Sequence, residues 1–320
     1  MKQFFLYSLI LPALCIGCSD SLPEKEDGDN YLRLESVELP GENLTKALEL
    51  DINNVNVYVR KKEGDAYSDY ITGSGKVTQT RFTHTSNNWV AANNIALDVT
   101  AYILGCYPVA EKDTIISDNG ILKIPVKILE TNTFDAAKSE QNDYLYSSEA
   151  TTSGNQRSIK LEMHHALAQV SFYILKSSDV SDEMKLKQIE ISSRNTCLQK
   201  GEGQMLLEGG TLAGISITNS LILKAPNKDS YILLNTQEQK PNVTCLVAPM
   251  SAEESSLSFN LTVDVAGTER TFTTSSTKAN WLKGVNYSYT ITLNKIGGEL
   301  SGIIIKKWET DASPNTSIGI

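Results

Sequence analysis

Cys15 and Cys18 form the only CxxC of the chain, in "LPALCIGCSD". Such a pair can hold zinc or cycle between thiol and disulfide when a strand-to-helix turn or a second ligand pair completes it. Neither accompanies this one. His164 and His165 are the next candidates, but neighbouring side chains on a strand point to opposite faces, so the two cannot chelate one ion from one side. The chain of 320 residues has three histidines and no GxSxG, HExxH or glycine-rich phosphate loop, which leaves nucleophile-and-base catalysis without its parts. His165 shares the inward parity of its strand and is expected to be a hydrogen-bonded core histidine. His84, in "TRFTHTSNNW", is expected at an exposed strand end. The acidic "DGD" at 27–29 has only a fragment of a calcium loop's ligand positions. Trp89, Trp281 and Trp308 stand singly beside turn-like residues, a placement that fits packing better than a row of platforms for sugar rings. No catalytic residue, cofactor or metal is expected.

The N-terminus accounts for the cysteine pair differently. Lys2, the apolar "FFLYSLILPALCIG" and the small residues before Cys18 have the three-part order of a secretory signal. "LCIGC" resembles the lipobox of bacterial lipoproteins, with Gly17 before the cleaved bond and Cys18 as the acylated (palmitate-bearing) residue. Residues 1–17 are then a signal peptide, and Cys15 is discarded with it. Residues 18–30, with "SDSLPEKEDGDN", are acidic and aperiodic, and read as a solvated tether. No apolar run reaches the roughly 18–20 residues that span a bilayer. The formal charge of -9 argues against nucleic acid, whose phosphates need concentrated Lys and Arg. Cys106, Cys197 and Cys245 remain, an odd set that allows at most one disulfide. Cys245, on the apolar phase of "VTCLVAP", reads as a small buried side chain.

The elements that must carry these residues are strands. Leu48, Leu50 and Ile52 keep one phase, and Val55, Val57 and Tyr58-Val59 continue on the other. Leu122 to Ile128, Leu257 to Val265 and Val285 to Leu293 alternate strictly, the pattern of a strand with one face in a core. The last two runs, separated by "AGTER" and "STKANWLKG", read as long antiparallel strands joined by turns. In "IKLEMHHALAQVSFYIL", Ile159, Leu161, Met163, His165 and Leu167 share a parity that Val170, Phe172 and Ile174 reverse. A bulge or short break between Ala166 and Gln169 is needed to keep both halves inward. "SDVSDEMKLKQ" is the best candidate for a short helix. Length favours two domains. The polar "YSSEATTSGNQRS" divides them near residue 155, giving 31–155 and 156–320.

Several stretches together resemble the fimbrillin family of lipoprotein pilins. They are "DYLYSSEA" followed by "IKLEMHHALAQVSFYI", with His165 at the family's histidine; "NNW" at Asn87 to Trp89; "AYILGCYPV"; and "WLKGVNYSYTITL" with Trp308. The resemblance implies a mainly β fold of two tandem β-sandwich domains, transthyretin-like and Greek-key. It also implies a lipoprotein carried to the outer membrane, where an Arg- or Lys-specific protease removes the first strand and a donor strand from another subunit fills the groove, head to tail. On these terms "YLRLESVEL" is the removable strand, and "PGENLTK" offers cleavage between Lys46 and Ala47, with Arg33 as an alternative inside the strand. The family's arginine in this connection is absent here. "GIIIKKW" reads equally as a donor strand or as the last strand of the second sandwich. The rival reading is a surface lipoprotein that binds glycan or another ligand without polymerising.

Overall fold

Alternation with a period of two produces strands almost throughout the computed structural model of the chain. It describes residues 30–39, 52–110, 116–250, 256–307 and 316–317, apart from short stretches at 65, 73–74, 77–78, 119, 153–154, 227–230, 237, 239 and 296. Besides a 3-10 residue at Pro226, the described residues include one short 3-10 turn, Ala136–Lys138.

The largest sheet runs in the order Arg33–Glu38, Ser158–His165, Leu145–Ser147, Ala101–Tyr107, Asn54–Glu63, Gln79–Thr85 and Asn88–Ala91. One face carries a core that includes Val55, Val57, Val59, Ile103, Leu145, Leu161 and Met163. The other face places Tyr58, Leu104 and Cys106 against Leu122, Ile124, Val126 and Met205. Ile121–Ile128 and Leu198–Leu206 are paired antiparallel in the small sheet that lies there. Asn54–Glu63 is thus buried on both faces, with Asn56 and Arg60 enclosed beside its valines.

The remaining strands form a sandwich. One sheet contains Thr131–Thr133, Ser220–Lys224, Met184–Ser193, Ser256–Val265 and Thr268–Thr273. The other contains Val243–Val247, Ala168–Lys176, Val285–Leu293, Gly298–Lys307 and Thr316–Ser317. Val170, Phe172 and Ile174 meet Ile189, Ile191, Phe259 and Leu261 in the core between them. Phe172, Phe259 and Tyr289 pack ring against ring at 4.8–5.6 Å, within the range favoured by aromatic pairs.

Three expectations are revised by these pairings. The two long runs near the C-terminus lie in different sheets rather than pairing with each other. Ser256–Val265 turns through Ala266 and Gly267, both at positive φ, into Thr268–Thr273, whereas Val285–Leu293 pairs parallel with Ala168–Lys176. The parity reversal after His165 is a short break, but its purpose is transfer: Ile159, Leu161 and Met163 serve the first core, and Val170 and Phe172 serve the sandwich. The helix expected in "SDVSDEMKLKQ" is a turn followed by the strand Met184–Ser193. A register shift between Leu186 and Gln188 sets Leu186 and Ile189 three apart on one inward face, which imitates helical spacing.

Sheets draw on both sides of residue 155. Ser158–His165 returns to the largest sheet, and from there the chain passes at Ala166-Leu167 into the sandwich strand Ala168–Lys176.

Candidate assembly edge

Arg33–Glu38 is the outermost strand of the largest sheet and is held by one parallel ladder to Ser158–His165. Its register runs from Arg33 opposite Ser158 to Glu38 opposite Glu162, with an irregularity between Leu34 and Ser36. Leu32 and Leu34 are 3% and 5% exposed and enter the core, with Val37 and Leu39 packed at its margin. At its N-terminal end, Leu32 N–H donates to Ile95 O (2.9 Å) and Leu97 N–H donates to Asn30 O (2.7 Å). The strand next in sequence, Asn54–Glu63, is not its neighbour: three strands separate them in the sheet order. A cut in the connection therefore opens no hairpin, and leaves the first strand attached by one ladder, its leucines and the short pairing of residues 30–32 with 95–97.

On its other side the first strand faces Asn88–Ala91 across a cleft of about 640 Å³. The hairpin from Gln79–Thr85 into Asn88–Ala91 turns through Ser86, whose φ is 58°. It sets His84 opposite Trp89 with ring centroids 5.1 Å apart. Trp89 is half-buried and forms part of the cleft wall.

At the other end of the chain, Gly298–Lys307 pairs antiparallel with Val285–Leu293 along its whole length, and Thr316–Ser317 pairs with it in turn. In this conformation "GIIIKK" is a strand of the chain's own sandwich.

The other residues singled out by type fall as follows. His165 is buried and its Nδ1 lies 2.8 Å from Asp143 Oδ2, so it is the core histidine its parity indicates. His164 points the opposite way, with Nε2 2.8 Å from Ser148 Oγ. Trp281 is fully buried and donates from Nε1 to Tyr289 OH at 2.9 Å. Burial pushes the thiols of Cys106 and Cys245 up to about 12, which leaves them protonated and unreactive. Burial likewise raises the Tyr58 phenol, which sits 4.0 Å from Cys106 Sγ. Cys106, Cys197 and Cys245 are free thiols. Cys15, Gly17, Cys18, the "DGD", Lys46, Ala47 and Trp308 lie outside the described residues.

Sequence reasoning missed Asp143 as the partner of His165. The one available signal was its place at the head of "DYLYSSEA", and the pairing of Leu145–Ser147 with Ser158–His165 brings it there. Reasoning also missed the polar group of Asn56, Tyr58 and Cys106, in which Asn56 Nδ2 donates to Ala110 O at 2.6 Å. Among the described residues no group of three or more His, Cys, Asp or Glu side chains is placed to hold a metal. No helix among them is long and apolar enough to cross a membrane.

The described residues form an almost wholly β body, with Arg33–Glu38 as one edge strand of its largest sheet. The chain belongs to the fimbrillin-like family, whose model matches residues 45–308. No curated protein matches it by sequence. Among solved structures it is similar to a candidate cell adhesion protein from Bacteroides uniformis, at 17% identity and a TM-score of 0.57, covering 88% of this chain and 100% of that one. A candidate cell adhesion protein from Bacteroides ovatus is 15% identical, with a TM-score of 0.56 and coverage of 88% and 99%. A fimbrial protein from Bacteroides vulgatus is 12% identical, with a TM-score of 0.58 and coverage of 87% and 99%. At these identities the likeness concerns the fold.

Proposed function

We propose that the chain is a fimbrial subunit, exported as a lipoprotein through Cys18 to the outer membrane and assembled with other subunits by strand exchange. The observation that carries this reading is the first strand: an edge strand on one parallel ladder, with two leucines in the core and no hairpin to its successor. Cleavage between Lys46 and Ala47 frees that strand together with the lipid. The groove it leaves offers unpaired backbone groups along Ser158–His165 and pockets vacated by Leu32 and Leu34, the two requirements for adding a strand in trans. A donor from the next subunit fills it, and repetition head to tail gives a filament. Family membership and the fold shared with a fimbrial protein support a fimbrial or adhesive role at the cell surface. We read the subunit as two domains divided near residue 155, with Ser158–His165 returning across that point to the largest sheet.

Replacement of the lipid-bearing residue tests the export step. In cells producing Cys18→Ser, the chain is expected to lose incorporation of labelled palmitate and to disappear from the cell surface. Unchanged surface display of an unlipidated chain contradicts the reading.

A further inference from the structure

The cleft beside the first strand has a make-up that filament assembly does not use. One wall presents Asn87, Asn88 and the half-buried Trp89, and the other presents Arg33 and Glu35, with Lys160 beside them. The formal charges of its lining balance, Arg33 and Lys160 against Glu35 and Glu38. One broad aromatic surface among amides, carboxylates and a guanidinium is the donor and acceptor set that suits an uncharged polyhydroxylated ring: C–H groups lie on the indole, and hydroxyls exchange hydrogen bonds with the polar side chains. The volume of about 640 Å³ is that of a small-molecule site.

An extended peptide is the competing occupant, and geometry disfavours it. A strand inserted between two edges needs them about 9–10 Å apart, two strand spacings. Here the chain just before Arg33–Glu38 is tied to the segment that follows Asn88–Ala91, by Leu32 N–H to Ile95 O and Leu97 N–H to Asn30 O, which holds that end of the cleft closed to a strand.

We infer that this cleft binds a short neutral oligosaccharide, and does so only while the first strand is in place. Half of the lining residues belong to that strand, so cutting and releasing it dismantles the site. By linkage, a ligand that binds only the intact form holds the strand in. This coupling rests on the strand exchange proposed above; the binding itself does not.

The test is calorimetric titration of the uncut mature chain with maltotriose, mannotriose and chitotriose. At least one is expected to bind, with Trp89→Ala weakening it about tenfold and the exposed Glu35→Gln and Asn88→Ala weakening it several-fold. Glu35→Gln keeps the test decisive if Trp89→Ala does not fold. Val99→Ala, at an exposed site away from the cleft, leaves binding unchanged. After proteolysis at Lys46 and release of the strand, binding is lost; trisaccharide at about ten times its Kd slows that release about tenfold. The inference is overturned if no trisaccharide binds, if Trp89→Ala and Glu35→Gln both bind as the parent does, or if a peptide of residues 298–307 takes the cleft instead. Failure of sugar binding leaves the fimbrial reading standing, because that reading is tested on the mature N-terminus. Binding that survives cleavage at Lys46 and release of the strand removes only the coupling.

Discussion

A chain cut after Lys46 and stripped of its first strand loses a large share of its stability, and regains it when a peptide of residues 30–39 is supplied in trans. Leu32 and Leu34 are buried in the first core, and burial of a leucine contributes about 1.5–3 kcal/mol. The two together account for roughly 3–6 kcal/mol, against a total of about 5–15 kcal/mol for a folded domain. The backbone groups of Ser158–His165 that face the lost strand become an open edge, which favours aggregation. The peptide "NYLRLESVEL" restores both the apolar contacts and the ladder. At about a hundred times its Kd it returns about 2.7 kcal/mol. A peptide with Leu34→Asp should fail, since it carries an unpaired charge into the core. Denaturant unfolding of the cut chain with each peptide reads the effect. Equal midpoints with and without the parent peptide would show that the first strand is not the replaceable element.

Replacement of Trp281 by alanine is expected to cost about 3–5 kcal/mol, the range for removal of a large aromatic from a packed core. The ring is completely buried beside the Phe172, Phe259 and Tyr289 cluster, and its Nε1–H is satisfied by Tyr289 OH. The substitution leaves a cavity and an orphaned phenol together. Tyr289→Phe keeps the packing and removes only the acceptor, so it should cost about 1–3 kcal/mol, the penalty of an unsatisfied buried donor. Leu282→Ala is the comparison: it is the neighbour in sequence, yet 54% exposed, and falls within about 0.5 kcal/mol of the parent. Thermal unfolding that places Trp281→Ala alongside Leu282→Ala would contradict the placement of Trp281 in the core.

The strands that announced themselves are those with one face in a core and the other in water. Ile121–Ile128 and Ser256–Val265 alternate between buried and more exposed positions almost residue by residue, as their sequences require. Asn54–Glu63 hid its environment because both its faces are covered, and a run such as "VNVYV" does not say what lies on either side. Met184–Ser193 imitated a helix through one bulged position. Partnerships were less legible than strands. Nothing local makes Arg33–Glu38 pair parallel with a strand more than a hundred residues later, or assigns Ser158–His165 and Ala168–Lys176 to different sheets. The same limit applies to the candidate sites. The parity of His165 declared it a core residue, but Asp143 could be found only in space. The isolation of Trp281 and Trp89 in sequence gave both the same reading, and the fold separates them, sealing Trp281 in the sandwich and setting Trp89 at the wall of a cleft.

The central claim is that the first strand is exchanged for one from a neighbouring subunit. The most direct measurement is the intact mass of the chain recovered from surface filaments, set beside that of the chain extracted from the membrane. The account predicts a membrane form that begins at lipidated Cys18 and a filament form that begins at Ala47. Filaments built of chains that still begin at Cys18 and retain Arg33–Glu38 would contradict it.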